Sequence, residues 1–241
     1  MFKEYNRLWV FGDSYSTPYV CNLDPQDSFW GLTAQHLDIN KITNCSRPQS
    51  GFDSVAHLVV NMQQEYDWDR DLFLIGLPIL ERVTMVNNED KIFYGHNYNK
   101  NWDESKFQID CHYGLRSFQN FKEDRGLVLY NNRDWTESQA LRNIFFLTHW
   151  LDSKKANYLI VNLSHPLSTE NARGFNVETL PYCKNHSRCI LFDNTYYSVN
   201  FEIHKPADYD RYGWNGHHGP DGNRHFFEKS VLPTLQRNKL C

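Results

Sequence analysis

The chain has 241 residues, of which 40% are hydrophobic, 15% aromatic and 22% charged, with a formal net charge of -4. That balance excludes a disordered chain and leaves room for a sizeable core, in one α/β domain or one domain with an insertion. No block of lysine and arginine marks a basic face for nucleic acid, and no apolar run approaches the length of a membrane span.

The chain opens Met1-Phe2-Lys3-Glu4-Tyr5-Asn6 without an apolar signal segment, so a cytoplasmic or viral setting is expected. Cys21, Cys45, Cys111, Cys183, Cys189 and Cys241 are scattered, and in that setting they are expected to stay reduced.

Leu8 to Phe11 reads as a buried strand that runs into Gly12-Asp13-Ser14. Asp27 or Ser28 caps a helix whose Phe29, Leu32 and Leu37 turn inward. Ile39 to Asn44 is a short strand, and Cys45 to Gly51 a polar loop broken by Pro48. A helix follows from Asp53 or Ser54, with Val55, Leu58, Val59 and Met62 at helical spacing. Leu72 to Leu77 is a continuous apolar run, as a central parallel strand requires. Strand, helix, strand, helix, strand at this spacing implies βαβ units and a parallel sheet.

From about 86 to 134 the pattern lapses, and Tyr94, Tyr98, Trp102, Phe107, Tyr113, Phe118, Phe121 and Tyr130 sit among polar residues. A structureless loop of that length is uncommon, so the stretch reads as an insertion or lid with small elements of its own. Its aromatics either pin the excursion to the core, the more ordinary role, or line a carbohydrate-like site. Regularity returns at Thr136-Glu137-Ser138-Gln139, a capping box that opens a helix through Leu141, Ile144, Phe145, Thr148 and Leu151. Strands follow at Tyr158 to Leu163 and Arg188 to Phe192, and a last helix from Pro220 to Leu235.

Ser14 falls at the C-terminal end of the first strand, the edge where open α/β sheets bind ligands. A serine there is a nucleophile if a base reaches it; otherwise Asp13 or Ser14 caps the next helix. The candidate base lies in Gly216-His217-His218-Gly219, a tight loop just before Pro220.

Gly12-Asp13-Ser14 after an N-terminal strand, Gly51 after the second strand, and Gly216-His217 followed by Pro220-Asp221-Gly222-Asn223 resemble the SGNH, or GDSL, hydrolase superfamily. The resemblance implies a flavodoxin-like three-layer α/β/α sandwich with a central parallel sheet, and an esterase, lipase or O-deacetylase activity. It implies one such domain over 1–241, with the 86–134 stretch inserted. Ser14 would be the nucleophile, and its backbone N–H and that of Gly51 would form the oxyanion hole. His217 would be the general base, preferred to His218 because the family commonly carries a glycine five residues on, where Gly222 stands.

Two positions depart from the family pattern. Gly76-Leu77-Pro78 stands where Gly-x-Asn is usual, and Pro78 has neither a side-chain donor nor an N–H, so the hole has only two donors or takes a third from elsewhere, Asn162 or Arg82. Trp214 and Asn215 stand where an aspartate is usual. Asn215 is then the candidate for orienting the imidazole; the other choices are Asp208, Asp210 or a plain Ser-His dyad. These departures keep a second reading open, an SGNH-like fold whose site has decayed into a binding or structural module. The expected partner is a small-molecule or carbohydrate ester, with no nucleic acid and no membrane. No cofactor or metal is expected: Cys183, His186 and Cys189 offer three ligands in what reads as one loop, short of the usual four for zinc. His204, His217, His218 and His225 lack a metal-binding spacing.

Overall fold

The central strands are buried along their length, and alternate residues face opposite layers because successive side chains in a strand point to opposite sides. The computed structural model describes residues 4–13, 16–17, 23–46, 52–78, 83–84, 108–111, 117–118, 133–163, 167, 179–203 and 218–241. A six-stranded sheet runs through them in the order β5 (Gln108–Cys111), β2 (Lys41–Asn44), β1 (Arg7–Phe11), β3 (Asp71–Leu77), β7 (Asn157–Asn162), β8 (Cys189–Ile190). Every pairing in it is parallel; Leu8 stands beside Ile42 on one side and Leu72 on the other. Apart from it, β4 (Val83–Thr84) pairs antiparallel with β6 (Ser117–Phe118).

One face of the sheet carries Trp9, Phe11, Phe73, Ile75 and Ile160, packed on Val55 and Val59 of α2 (Phe52–Asn61) and Leu141, Ile144 and Leu151 of α3 (Arg133–Ser153). The other face carries Leu8, Val10, Ile42, Leu72, Leu74 and Val161. It packs on α1 (Phe29–His36), on Tyr196 of α5 (Tyr196–Ile203), and on Phe226, Phe227, Val231 and Leu235 near the C-terminus. This is a three-layer α/β/α sandwich, and burial of both faces explains why the central strands read as unbroken apolar runs. Omitting β5, the order of strands is that of the flavodoxin-like doubly wound sheet.

Two expectations change. Cys183 to Cys189 is not one loop: Cys183 lies inside α4 (Thr179–Asn185), and only Cys189 belongs to a strand. The final helix is three pieces, α6 (Pro220–Phe226), a π-helical stretch over Phe227–Val231, and α7 (Leu232–Arg237). Pro233 has no N–H to continue an α-helical ladder, and the wider turn before it absorbs the change of register. Within the 86–134 stretch, residues 108–111 extend the main sheet as its edge strand. The rest, apart from β6 and the start of α3, lies outside the described residues.

At the N-terminal edge of the sheet the Tyr158 hydroxyl donates to Asp152 Oδ1 at 2.9 Å and stands 3.3 Å from His186 Nε2. His186 Nε2 is 3.6 Å from Asp152 Oδ2, while Arg188 stacks over the Tyr158 ring and sends an N–H to the Ala156 carbonyl. Burial holds the His186 imidazole below its ordinary value of 6.5; Arg188 and His149 push the same way, against the pull of Asp152. The native state therefore prefers neutral His186. Its contribution to stability is intact above the ordinary histidine value and is lost as pH falls below it. In melting curves between about pH 7 and pH 5, His186→Gln should lose less stability than the wild type. Equal slopes would remove His186 from the acid response.

Candidate active site

The sheet's switch point lies between β1 and β3, because the chain leaves β1 for β2 on one side and returns to β3 on the other. In α/β sheets of this kind the loops diverge at such a point and ligands bind beyond the strands' C-terminal ends. Two glycines shape this edge. A Cβ on Gly12 would collide with the Ser16 hydroxyl, and one on Gly76 with the Leu163 side chain, which also lies 3.4 Å from the Gly12 position. Leu163 therefore fills the space over both strand ends.

Asp13 and Ser16 are both buried. The Ser16 N–H donates to the Asp13 carbonyl at 3.0 Å and closes a tight turn. Two side chains then pin that turn: Trp30 Nε1 and Asn44 Nδ2 each donate to the Ser16 carbonyl at 2.9 Å. Trp30 belongs to α1, and Asn44 ends β2, where its Oδ1 also accepts the Ser46 N–H at 2.8 Å. Ser16 is thus held from two elements by donors to its one carbonyl.

The histidine loop joins the same framework from the far end of the chain. Gly219 precedes α6, and Pro220 takes the first helical position, where its missing N–H costs nothing. Asn223 Nδ2 donates to the carbonyls of His218 at 2.9 Å and Gly219 at 3.0 Å, and its Oδ1 accepts the Phe29 N–H at 3.1 Å. Asn223 therefore fixes the loop's last two residues to the N-terminus of α1. Residues 16 and 218–219, remote in sequence, are both held on α1.

Ser14, Gly51, His217 and Asn215 lie outside the described residues, as do Arg82, Asp208 and Asp210. His218 is described and is 5% exposed; its ring packs 5.3 Å from Tyr196, and its Nε2 is closed off from solvent. A Cβ on Gly222 would lie 2.5 Å from the His218 Cβ, so the space for His218 is itself a reason for glycine there. Pro78 is buried, and Asn162 spends an amide N–H on the Leu191 carbonyl at 3.0 Å.

Among the described residues no three His, Cys, Asp or Glu side chains gather as a metal site. Burial pushes the Cys183 thiol up to about 12, and its Sγ points at the Leu141 carbonyl 3.6 Å away. Burial raises the Cys189 thiol as well, so both sulfurs are protonated at neutral pH rather than ready to ligate. Trp30, Asn44 and Asn223 are the supporting residues that sequence reasoning passed over. Asn223 was visible as the end of Pro-Asp-Gly-Asn, whereas nothing local in the sequence signals Trp30 or Asn44. No helix among the described residues is long and apolar enough to cross a membrane.

No family model matches the chain, and no curated protein matches it. Solved structures share its fold. The crystal structure of TesA superposes with a TM-score of 0.51 at 13% identity, over 96% of this chain and 99% of that one. A member of the lipolytic protein G-D-S-L family from Veillonella parvula DSM 2008 gives 0.49 at 12% identity, over 94% and 96%. A carbohydrate esterase, described as displaying divergent catalytic and non-catalytic binding functions, gives 0.47 at 12% identity, over 98% and 69%.

Proposed function

We propose that the chain is a serine ester hydrolase of the SGNH kind, acting through Ser14 and His217. The observation that carries the reading is the shared anchorage on α1. Trp30 holds the turn next to Ser14, and the Phe29 N–H holds Asn223 and with it the loop next to His217. Two segments far apart in sequence are thus tied to one helix, and the switch point is where α/β sheets bind their ligands.

In this reading Ser14 Oγ attacks the ester carbonyl while the imidazole of His217 takes its proton. The N–H groups of Ser14 and Gly51 receive the oxyanion, whose charge develops only in the transition state. Collapse expels the alcohol, which takes the proton back from the imidazolium. Water, activated by the same imidazole, then attacks the acyl-enzyme and frees the acid. Asn215 accepts the remaining imidazole N–H, in place of the usual aspartate. Buried Pro78 supplies no donor, so the hole has one donor fewer than the family norm and turnover is slow accordingly. The substrate class we favour is a carbohydrate O-acetyl ester, from the mixed aromatic and polar character of residues 86–134.

The test is labelling by a fluorophosphonate followed by peptide mass spectrometry. An adduct on the peptide holding Ser14, absent from Ser14→Ala, is the expected result. A wild type that takes no label and gives no burst from a p-nitrophenyl ester returns the chain to the second reading, a binding or structural module.

A further inference from the structure

The two helical layers of the sandwich differ in charge. From α6 to α7, Asp221, Arg224, Glu228, Lys229 and Arg237 all stand exposed. On the layer of α2 and α3 charge is nearly absent. Residues 54–64 hold no Asp, Glu, Lys or Arg, and residues 138–151 hold Arg142 alone, in a chain of which 22% is charged. The large hydrophobic side chains left exposed among the described residues lie on that same layer: Phe146 of α3, at 66%, and Val60 of α2, at 37%. Phe146 meets Phe145 edge to face, and Phe145 and His149 both pack on Tyr182 of α4. The aromatic surface is thus continuous from α3 to α4.

Polar side chains on this layer already have partners. Asn61 Nδ2 donates to His57 Nε2 at 2.6 Å, His149 Nδ1 to the Phe145 carbonyl at 2.8 Å, and Ser153 Oγ to the Trp150 carbonyl at 2.7 Å. Each bond closes within one helix, so covering the face would strand none of these groups. Few charges, exposed aromatic rings and a single arginine match the composition found at the centre of a protein interface. We infer that two copies of the chain associate through the α2–α3 face, about a two-fold axis. The occupant follows from charge. A charged partner finds almost nothing to pair with here, whereas a second copy brings an equally neutral face. Each copy carries a net -4, and this is the layer on which two of them approach with least like-charge repulsion. The size is adequate. Both α2 and α4 pack on α3. With about 20 Å of uncharged α3 and neighbours about 10 Å to either side, the face covers roughly 600 Å² in flat projection, on the scale of the about 800 Å² per partner of a stable interface.

The test is sedimentation equilibrium of the full chain over micromolar to millimolar concentration. The wild type should pass from monomer to dimer within that range. Phe146→Glu should raise the dissociation constant of the dimer at least tenfold, because it places a carboxylate where two apolar surfaces meet. Phe146 is exposed in the single chain, so the variant should fold as the wild type does. Should it fail to fold, Val60→Lys on the neighbouring helix gives the same reading. Gln236→Glu adds the same charge on the opposite layer, where Gln236 is exposed, and should leave the constant within twofold. A wild type that stays monomeric throughout overturns the inference. So does a dimer that Phe146→Glu leaves as tight as before, or one that Gln236→Glu weakens equally. These readings stand whether or not the chain hydrolyses esters.

Discussion

His217→Ala should abolish ester hydrolysis, lowering kcat by about three orders of magnitude or more, while His218→Ala should chiefly cost stability. The two neighbours differ in kind. A general base contributes through a proton that moves in the transition state, and its removal leaves only the oxyanion hole and binding. His218 instead is a packing unit: buried, with its ring against Tyr196 and its Cβ against Gly222. Truncating it opens a void, at a cost of about 1–3 kcal/mol, or several degrees in unfolding temperature for a chain of this size. Its effect on kcat should be about ten- to a hundredfold, the scale of a slightly misplaced catalytic group. Burst kinetics with p-nitrophenyl acetate, read beside melting curves, separate the two. If His218→Ala is the dead variant with an intact fold and His217→Ala retains turnover, the base has been assigned to the wrong ring.

The largest loss of stability is expected at Gly31. It is the third residue of α1, and a Cβ there would run into the Pro25 carbonyl oxygen, 2.9 Å from the Pro25 carbonyl carbon and 3.0 Å from the Gln26 Cα. All three atoms are backbone, so no side chain can swing away. The contact is locked by Ser28, whose hydroxyl donates to the Pro25 carbonyl and accepts the Gly31 N–H as the helix cap. Gly31→Ala must push the Pro25–Asp27 turn off α1, at about 3 kcal/mol or more, beyond the ordinary range for overpacking. The urea midpoint should fall with the slope unchanged. Gly219→Ala is the internal control, because nothing lies within 4 Å of the added methyl and the backbone there has a negative φ. Similar midpoints for both variants would mean that the turn does not sit on α1 as described.

The sheet was legible in sequence where burial is two-sided. β1, β3 and β7 announce themselves as unbroken apolar runs, since both faces of a central parallel strand are covered. α5 was not legible. Tyr-Tyr-Ser-Val-Asn-Phe-Glu-Ile is rich in residues that favour strands, and its helical state follows from packing on Phe29 and Phe226 rather than from propensity. α4 was hidden in a similar way, with Pro181 in its first turn and cysteine beyond. Of the candidate site, the order of Gly12-Asp13-Ser14, Gly51 and Gly216-His217 is readable as a set of motifs. The scaffold around them is not. A hydrogen bond such as Phe29 N–H to Asn223 joins residues 194 positions apart and leaves no mark on either neighbourhood.

That long bond also orders events in time. A chain made from its N-terminus can pair β1, β2 and β3 and seat α1 long before Asn223 exists, because those contacts are comparatively local. Closing a loop of such length adds little entropy cost over a shorter one, but it has to wait for the segment around Asn223 to be synthesised. The segment holding His218 and Gly219 is therefore seated after β1, β2, β3 and α1. Until that segment exists, the N-terminus of α1 carries the Phe29 N–H without the Asn223 side chain that accepts it.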